Sequence, residues 1–140
     1  MSTLSYEVVA EPTGEIWELV GRGLGAFNVG KAGDEGHSRV CVVARDDDDA
    51  LVGGAIGDVN WSWFNLSLMF IKEEYRDRGI GRALLSRAEA HARQNGARYA
   101  FLDTFDFQAL GFYRKNGYVE FGRLDDFPGE HSRHFMKKDL

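Results

Sequence analysis

The feature that most constrains this chain is a change of hydrophobic period halfway along it. Through residues 61–71 the side chains alternate, with Leu66, Leu68 and Phe70 on one face and Trp61, Trp63, Asn65 and Ser67 on the other. That alternation reads as a strand. From residue 79 the period becomes four, as Ile80, Leu84, Ala88 and Ala92 recur over 79–95. This predicts a helix closed by Asn95-Gly96. Between the two lies the segment Arg76-Asp77-Arg78-Gly79-Ile80-Gly81-Arg82. A strand, a glycine-bearing turn and a helix open a βαβ unit, and the short apolar run 99–104 supplies its second strand.

The remaining elements follow from the same periods. Residues 4–10 alternate loosely and read as a first strand. Pro12 then opens a helical stretch with Ile16, Val20 and Leu24 four apart, which Gly21, Gly23 and Gly25 weaken, so that a broken or mobile helix is expected. Residues 38–45 and 50–59 form a hairpin around the aspartates at 46–49. Residues 108–116 give a second helix closed by Asn116-Gly117, and 118–124 and 134–138 are the final strands. The order β-α-β-β-β-α-β-α-β-β predicts a mixed α/β fold: one twisted sheet with helices on both faces. A length of 140 residues makes this a single domain, 1–140.

Composition excludes several classes. Hydrophobic residues at 44% and charged residues at 28% are globular values, not those of a disordered or collagen-like chain. The single Cys41 forms no internal disulfide. No apolar run reaches the ~18 residues of a membrane span, and residues 1–7 lack the basic and apolar parts of a signal peptide. A cytoplasmic protein without membrane attachment is expected. The net charge of −5 argues against nucleic acid as a partner. Residues 1–60 hold 4 Lys+Arg against 11 Asp+Glu, and residues 61–140 hold 13 against 11. An acidic front and a mildly basic back suit a cationic ligand at one place and an anionic one at another.

The anionic ligand has a natural seat. The first turn of a helix carries unpaired N–H donors and the positive end of its dipole. Gly79 and Gly81 let those donors approach a ligand closely. Arg76, Arg78 and Arg82 crowd that end, where cations are unfavourable unless an anion joins them. The plain alternative is a solvated basic turn.

At this point the sequence resembles the GNAT superfamily of N-acetyltransferases. The phosphate-loop pattern of that family, Gln/Arg-x-x-Gly-x-Gly/Ala, is matched by Arg76-Asp77-Arg78-Gly79-Ile80-Gly81, preceded by Ile71, Glu74 and Tyr75. A second block, Ala109-Leu110-Gly111-Phe112-Tyr113-Arg114-Lys115-Asn116-Gly117-Tyr118, is similar to the family's Ala-x-x-Phe-Tyr-x-Lys-x-Gly-Phe. The resemblance is sharp over 66–124. It implies an enzyme that takes acetyl-CoA as co-substrate and releases coenzyme A. The amides of Arg78, Gly79, Ile80, Gly81, Arg82 and Ala83 would hold the pyrophosphate. Met69, Phe70 and Ile71 would pair with the pantetheine between two splayed strands. A backbone amide there would polarise the thioester carbonyl. The family's tyrosine falls on Tyr113, which would act as general acid toward the departing thiolate. A core aromatic is the structural alternative for Tyr113.

Two departures matter. Where the family often has Asn, this chain has Asp106, which can cap the following helix but cannot donate to the cofactor while ionised. Where many members carry a carboxylate as general base, residues 61–71 offer Asn65 and Ser67. Asp103, Glu120, His131 and a water chain remain open. Trp61 and Trp63 would line an acceptor pocket or simply pack on the sheet. The acceptor is expected to be a primary amine, on a small cationic molecule or a lysine side chain, attacked directly in a ternary complex. A homodimer is a family habit. A catalytically silent CoA-binding sensor is the competing reading.

Other motifs carry less. Gly25-Ala26-Phe27-Asn28-Val29-Gly30-Lys31 begins like a P-loop but continues with Ala32 instead of Ser or Thr. It also follows a helical pattern, so a nucleotide switch is disfavoured. Residues 46–49 lack Ca²⁺-loop spacing, and His131 and His134 lack further zinc ligands, so no metal is expected. His91 reads as a surface residue and Cys41 as a buried thiol.

Overall fold

The computed structural model describes residues 3–140. The chain forms two compact units, Met1–Glu35 and Gly36–Leu140.

The first unit is helical. The expected strand at 4–10 is absent: these residues join no sheet, and Leu4, Tyr6 and Val8 are exposed. Their β propensity has no ladder to satisfy it. Thr13 caps the first helix, its hydroxyl accepting from the Ile16 amide at 3.3 Å. Helix α1 (Gly14–Trp17) passes through a π-helical segment, Glu18–Arg22, into α2 (Gly23–Ala32). The glycines therefore do not break the helix. The backbone widens by a π segment instead, spanned by an Arg22–Glu18 ion pair at 3.2 Å. Gly33, at φ 84°, closes it.

The second unit holds six strands: β1 (Ser38–Arg45), β2 (Leu51–Asn60), β3 (Trp63–Ile71), β4 (Tyr99–Phe105), β5 (Val119–Leu124) and β6 (Arg133–Asp139). They lie in the order β1-β2-β3-β4-β6-β5. Only β3 and β4 run parallel; every other pair is antiparallel. Helix α3 (Ile80–Gln94) joins β3 to β4, and α4 (Leu110–Lys115) follows β4. Both helices share one face of the sheet. Leu84, Leu85 and Ala88 of α3 and Tyr113 of α4 enter one core with Val40, Ala55, Phe64, Leu66, Leu102 and Met136. Inside it the Glu89 carboxylate accepts from Tyr118 Oη at 2.7 Å and from Lys138 Nζ at 2.9 Å. A buried charge is thereby paired and hydrogen-bonded.

One irregularity positions the site. In the β2–β3 ladder Gly57 pairs with Leu66 and Ile56 with Leu68, leaving Ser67 as an extra residue. This β-bulge reverses the expected faces beyond it. Leu66 stays in the core, but Leu68 and Phe70 are 67% and 65% exposed, and Met69 and Ile71 turn inward. Gly57 is what the bulge requires: a Cβ there would stand 2.2 Å from the Asn65 carbonyl oxygen and 2.6 Å from the Phe64 ring. Beyond the bulge the parallel ladder stops. β3 and β4 pair only at Trp63–Tyr99, Phe64–Ala100 and Asn65–Phe101.

Candidate functional site

Where β3 and β4 part, a cleft of about 540 Å³ opens. Leu66 to Ile71 form one wall, Asp103 and Thr104 the other, and α4 contributes Phe112 and Tyr113. No strand pairs with this edge of β3 beyond Asn65, so its backbone can receive an extended ligand.

The loop above the cleft is built for an anion. A 3₁₀ turn, Glu73–Tyr75, ends β3's exit. Asp77 (φ 61°) and Gly79 (φ 79°) both take left-handed backbone, which swings the chain onto the first turn of α3. No side chain caps that turn, and its first internal bond is Ala83 N to Gly79 O at 3.1 Å. The amides of Ile80, Gly81 and Arg82 thus stay free at the helix's positive end. Arg76 is fixed over the cleft mouth: its Nε donates to the Ile71 carbonyl at 2.9 Å, and its guanidinium lies 5.5 Å from the Phe70 ring centre. Arg78 lies over Tyr75 at 5.3 Å. Neither Arg78 nor Arg82 makes an ion pair among the described residues. Gly81 serves packing as well, since a Cβ would meet Ile71 Cδ1 at 3.1 Å and the Phe112 ring at 3.4 Å.

Tyr113 lies at the base of the cleft, only 7% exposed. Its ring meets Phe112 and Tyr118 edge to face. No hydrogen bond engages its hydroxyl among the described residues. Burial pushes its pKa up to about 12, so it stays protonated at neutral pH. Tyr118 is shifted up as well, by burial first and then by Glu89.

The other expected residues separate. Met69, Phe70, Ile71, Arg76 and Gly81 line the cleft. Asp106 does not; its carboxylate takes the His131 Nδ1 at 2.9 Å. Nor does it cap α4, whose N-terminus has no side-chain cap. Gln108 does the local work instead, its Oε1 accepting from the Phe105 amide at 2.9 Å and from Thr104 Oγ1 at 3.3 Å. Of the three base candidates, only Asp103 reaches the cleft. Arg133 holds it at 2.7 Å, with its guanidinium set among the rings of Phe105, Phe127 and Phe135. Glu120 instead joins His134, whose other nitrogen meets Ser132 Oγ at 2.7 Å. Thr104, Phe107 and Gln108 were not expected at the site. The available signal was Thr104, a polar residue in the otherwise apolar row of Ala100 and Leu102.

Elsewhere, residues 25–31 lie within α2 and form no phosphate-cradling loop. Asp46 closes the hairpin by accepting from the amides of Asp48 and Ala50, which hold its carboxyl below the usual range. Cys41 is exposed, not buried, because it shares the face opposite α3 and α4. Among the described residues no helix is long and apolar enough to cross a membrane.

Comparison with known proteins fits this geometry. Residues 37–120 match the model of the acetyltransferase (GNAT) domain. The chain belongs to the GNAT acetyltransferases. It is 37% identical over 91 residues to the blasticidin-S acetyltransferase of Streptomyces morookaense, covering 64% of this chain and 67% of that one. It is 30% identical over 113 residues to an acetyltransferase of Agrobacterium fabrum, covering 81% and 82%. A solved acetyltransferase from Bacillus cereus superposes with a TM-score of 0.88 at 28% identity, over 96% of this chain and 98% of that one. As a GNAT acetyltransferase the chain is an acyl-transfer enzyme, and the cleft, the loop and Tyr113 all lie where the matched sequence is continuous with them.

Proposed function

We propose that this GNAT acetyltransferase moves the acetyl group of acetyl-CoA to the primary amine of a small cationic molecule. The observation that carries this reading is the unpaired edge of β3, open beneath an uncapped helix N-terminus flanked by three arginines. The residues present fit the co-substrate: free amides and unpaired guanidiniums suit a pyrophosphate, and an open strand edge suits an amide-bearing arm.

The free amides of Ile80, Gly81 and Arg82 hold the pyrophosphate, with Arg78 and Arg82 adding charge; the expected Ala83 amide is already given to the Gly79 carbonyl. Met69, Phe70 and Ile71 pair with the pantetheine arm, and a backbone amide at the bulged edge faces the developing oxyanion. Acetyl-CoA supplies a thioester whose carbonyl carbon bonds to the amine nitrogen while the C–S bond breaks. Tyr113, kept protonated by burial, donates its proton to the sulfur and recovers one from the amine. Asp103, fixed by Arg133, faces the cleft where a cationic acceptor would enter. Among the described residues the cleft holds no activated nucleophile, which favours direct attack in a ternary complex over a covalent enzyme intermediate. The blasticidin-S acetyltransferase named above supports a small-molecule acceptor.

The test is release of free thiol from acetyl-CoA with a panel of small amines. Amine-dependent release at several times the amine-free rate is expected. Tight acetyl-CoA binding with no release on any primary amine would favour the silent sensor.

A further inference from the structure

A second pocket, about 370 Å³, lies on the face of the sheet opposite α3 and α4. Strand register builds it. Asp58 of β2 stands opposite Asn65 of β3, which stands beside Phe101 of β4; one row along, Asn60 faces Trp63, which stands beside Tyr99. These six positions make a panel two residues deep and three strands wide. Trp63 is held in it from one side: its ring stacks on Tyr99 at 4.8 Å and 30°, and Phe101 meets its edge at 5.9 Å. The pocket takes Trp63, Phe101 and Trp61 as its aromatic walls.

Its polar groups are equally placed. Asp58, which lines the pocket, accepts through Oδ1 from His37 Nε2 at 2.8 Å and Arg39 Nε at 2.7 Å, and no hydrogen bond among the described residues engages its Oδ2. His37 first, and Arg39 with it, hold that carboxyl below its usual range, so it is ionised at neutral pH. The Asn65 amide makes no hydrogen bond among the described residues, and it offers both a donor and an acceptor.

The pocket adjoins the cleft. Asn65 lines one and Ser67 the other; so do Phe101 and Asp103. Two residues along a strand span about 7 Å. A molecule seated over Trp63 therefore presents a tethered amine to the cleft without leaving the sheet.

We propose that this pocket seats the non-reacting end of the acceptor, and that this end is a planar π group bearing N–H donors, a guanidinium or a nitrogen heterocycle. The inference rests on the acetyltransferase reading above and names the substrate class of that site. A planar group stacks on Trp63 and gives its N–H groups to the Asp58 carboxylate and the Asn65 carbonyl oxygen; a neutral heterocycle nitrogen also accepts the Asn65 N–H. An aliphatic ammonium can donate to the same oxygens, but it has no planar face to stack on Trp63.

Agmatine and cadaverine separate these cases, because both are dications of similar length and only agmatine is planar at its far end. Calorimetric titration of the full chain with saturating coenzyme A is expected to give agmatine at least tenfold tighter binding than cadaverine, with histamine following agmatine. Trp63→Leu and Asn65→Leu should each bring the ratio toward one, and Trp63→Phe should keep most of it. Equal binding of agmatine and cadaverine, absence of agmatine binding, or an unchanged ratio in Trp63→Leu would overturn the proposal. Acetyl-CoA titrated alone reports separately. If it fails to bind while the agmatine preference stands, the acetyltransferase reading falls and the pocket assignment survives.

Discussion

Replacing Tyr113 by Phe separates chemistry from packing. The ring keeps its edge-to-face contacts with Phe112 and Tyr118, at 5.2 and 5.8 Å between centroids. The hydroxyl has no hydrogen-bond partner among the described residues to strand. Stability should therefore stay within about 1 kcal/mol, or roughly 4 °C in Tm for a chain of this size. On the proposed mechanism the reaction loses its proton donor. General acid catalysis contributes roughly 10²–10⁴-fold, which is about 2.7–5.5 kcal/mol of barrier. The assay is thiol release at saturating acetyl-CoA and amine, with acetyl-CoA affinity measured in parallel. A fall in kcat of at least about 100-fold with unchanged affinity is expected. Because the Tyr113 pKa is pushed up to about 12, the deficit should hold constant from pH 6 to 10. The same shift has a stability signature. Because burial disfavours the ionised form and raises the folded-state pKa from 10 to about 12, stability is unaffected below pH 10 and falls by up to about 2.7 kcal/mol as pH rises to 12. The Phe variant should lack this alkaline loss. A kcat within threefold of wild type would refute Tyr113 as the acid.

The bulge makes a stability prediction. Gly57→Ala should lower stability by about 3 kcal/mol and weaken acetyl-CoA binding, while Gly54→Ala, whose Cβ would meet the Val42 carbonyl at 3.4 Å and Val43 Cγ1 at 3.7 Å, should be mild in thermal melts. Arg82→Ala should raise the acetyl-CoA Kd about tenfold at low salt, with the difference shrinking as salt rises, in calorimetric titrations; an unchanged Kd would remove Arg82 from the phosphate site. Glu89→Ala leaves Lys138 and the Tyr118 hydroxyl without their carboxylate, and denaturant titration should show a loss of about 3 kcal/mol.

Much of the fold was legible because period alone separates strand from helix. The hairpin, the β3–α3 junction and both Asn-Gly helix ends follow from spacing of apolar residues. The bulge was not legible in that way. Leu66, Leu68 and Phe70 alternate correctly, and only Gly57 on the neighbouring strand records that Ser67 is surplus; a face assignment made within one strand cannot see its partner. Residues 4–10 have strand composition, yet composition provides no ladder. Glycine count overstated the weakness of the helical stretch, because a π segment absorbs what a break would otherwise relieve. At the site, the loop and Tyr113 were readable from local order. The Asp106–His131 and Asp103–Arg133 pairs were not, since their partners lie 25 and 30 residues apart and meet only through the β4–β6 pairing. The panel around Trp63 needed three strands in register before its residues became neighbours.

The central claim is that the parted strands and the α3 N-terminus together hold acetyl-CoA. Amide hydrogen exchange with and without saturating acetyl-CoA tests it at the residues concerned. Slowed exchange at residues 67–71 and 80–83, with residues 119–124 unchanged, is the predicted result. Exchange at 67–71 and 80–83 that does not respond to acetyl-CoA would contradict the account.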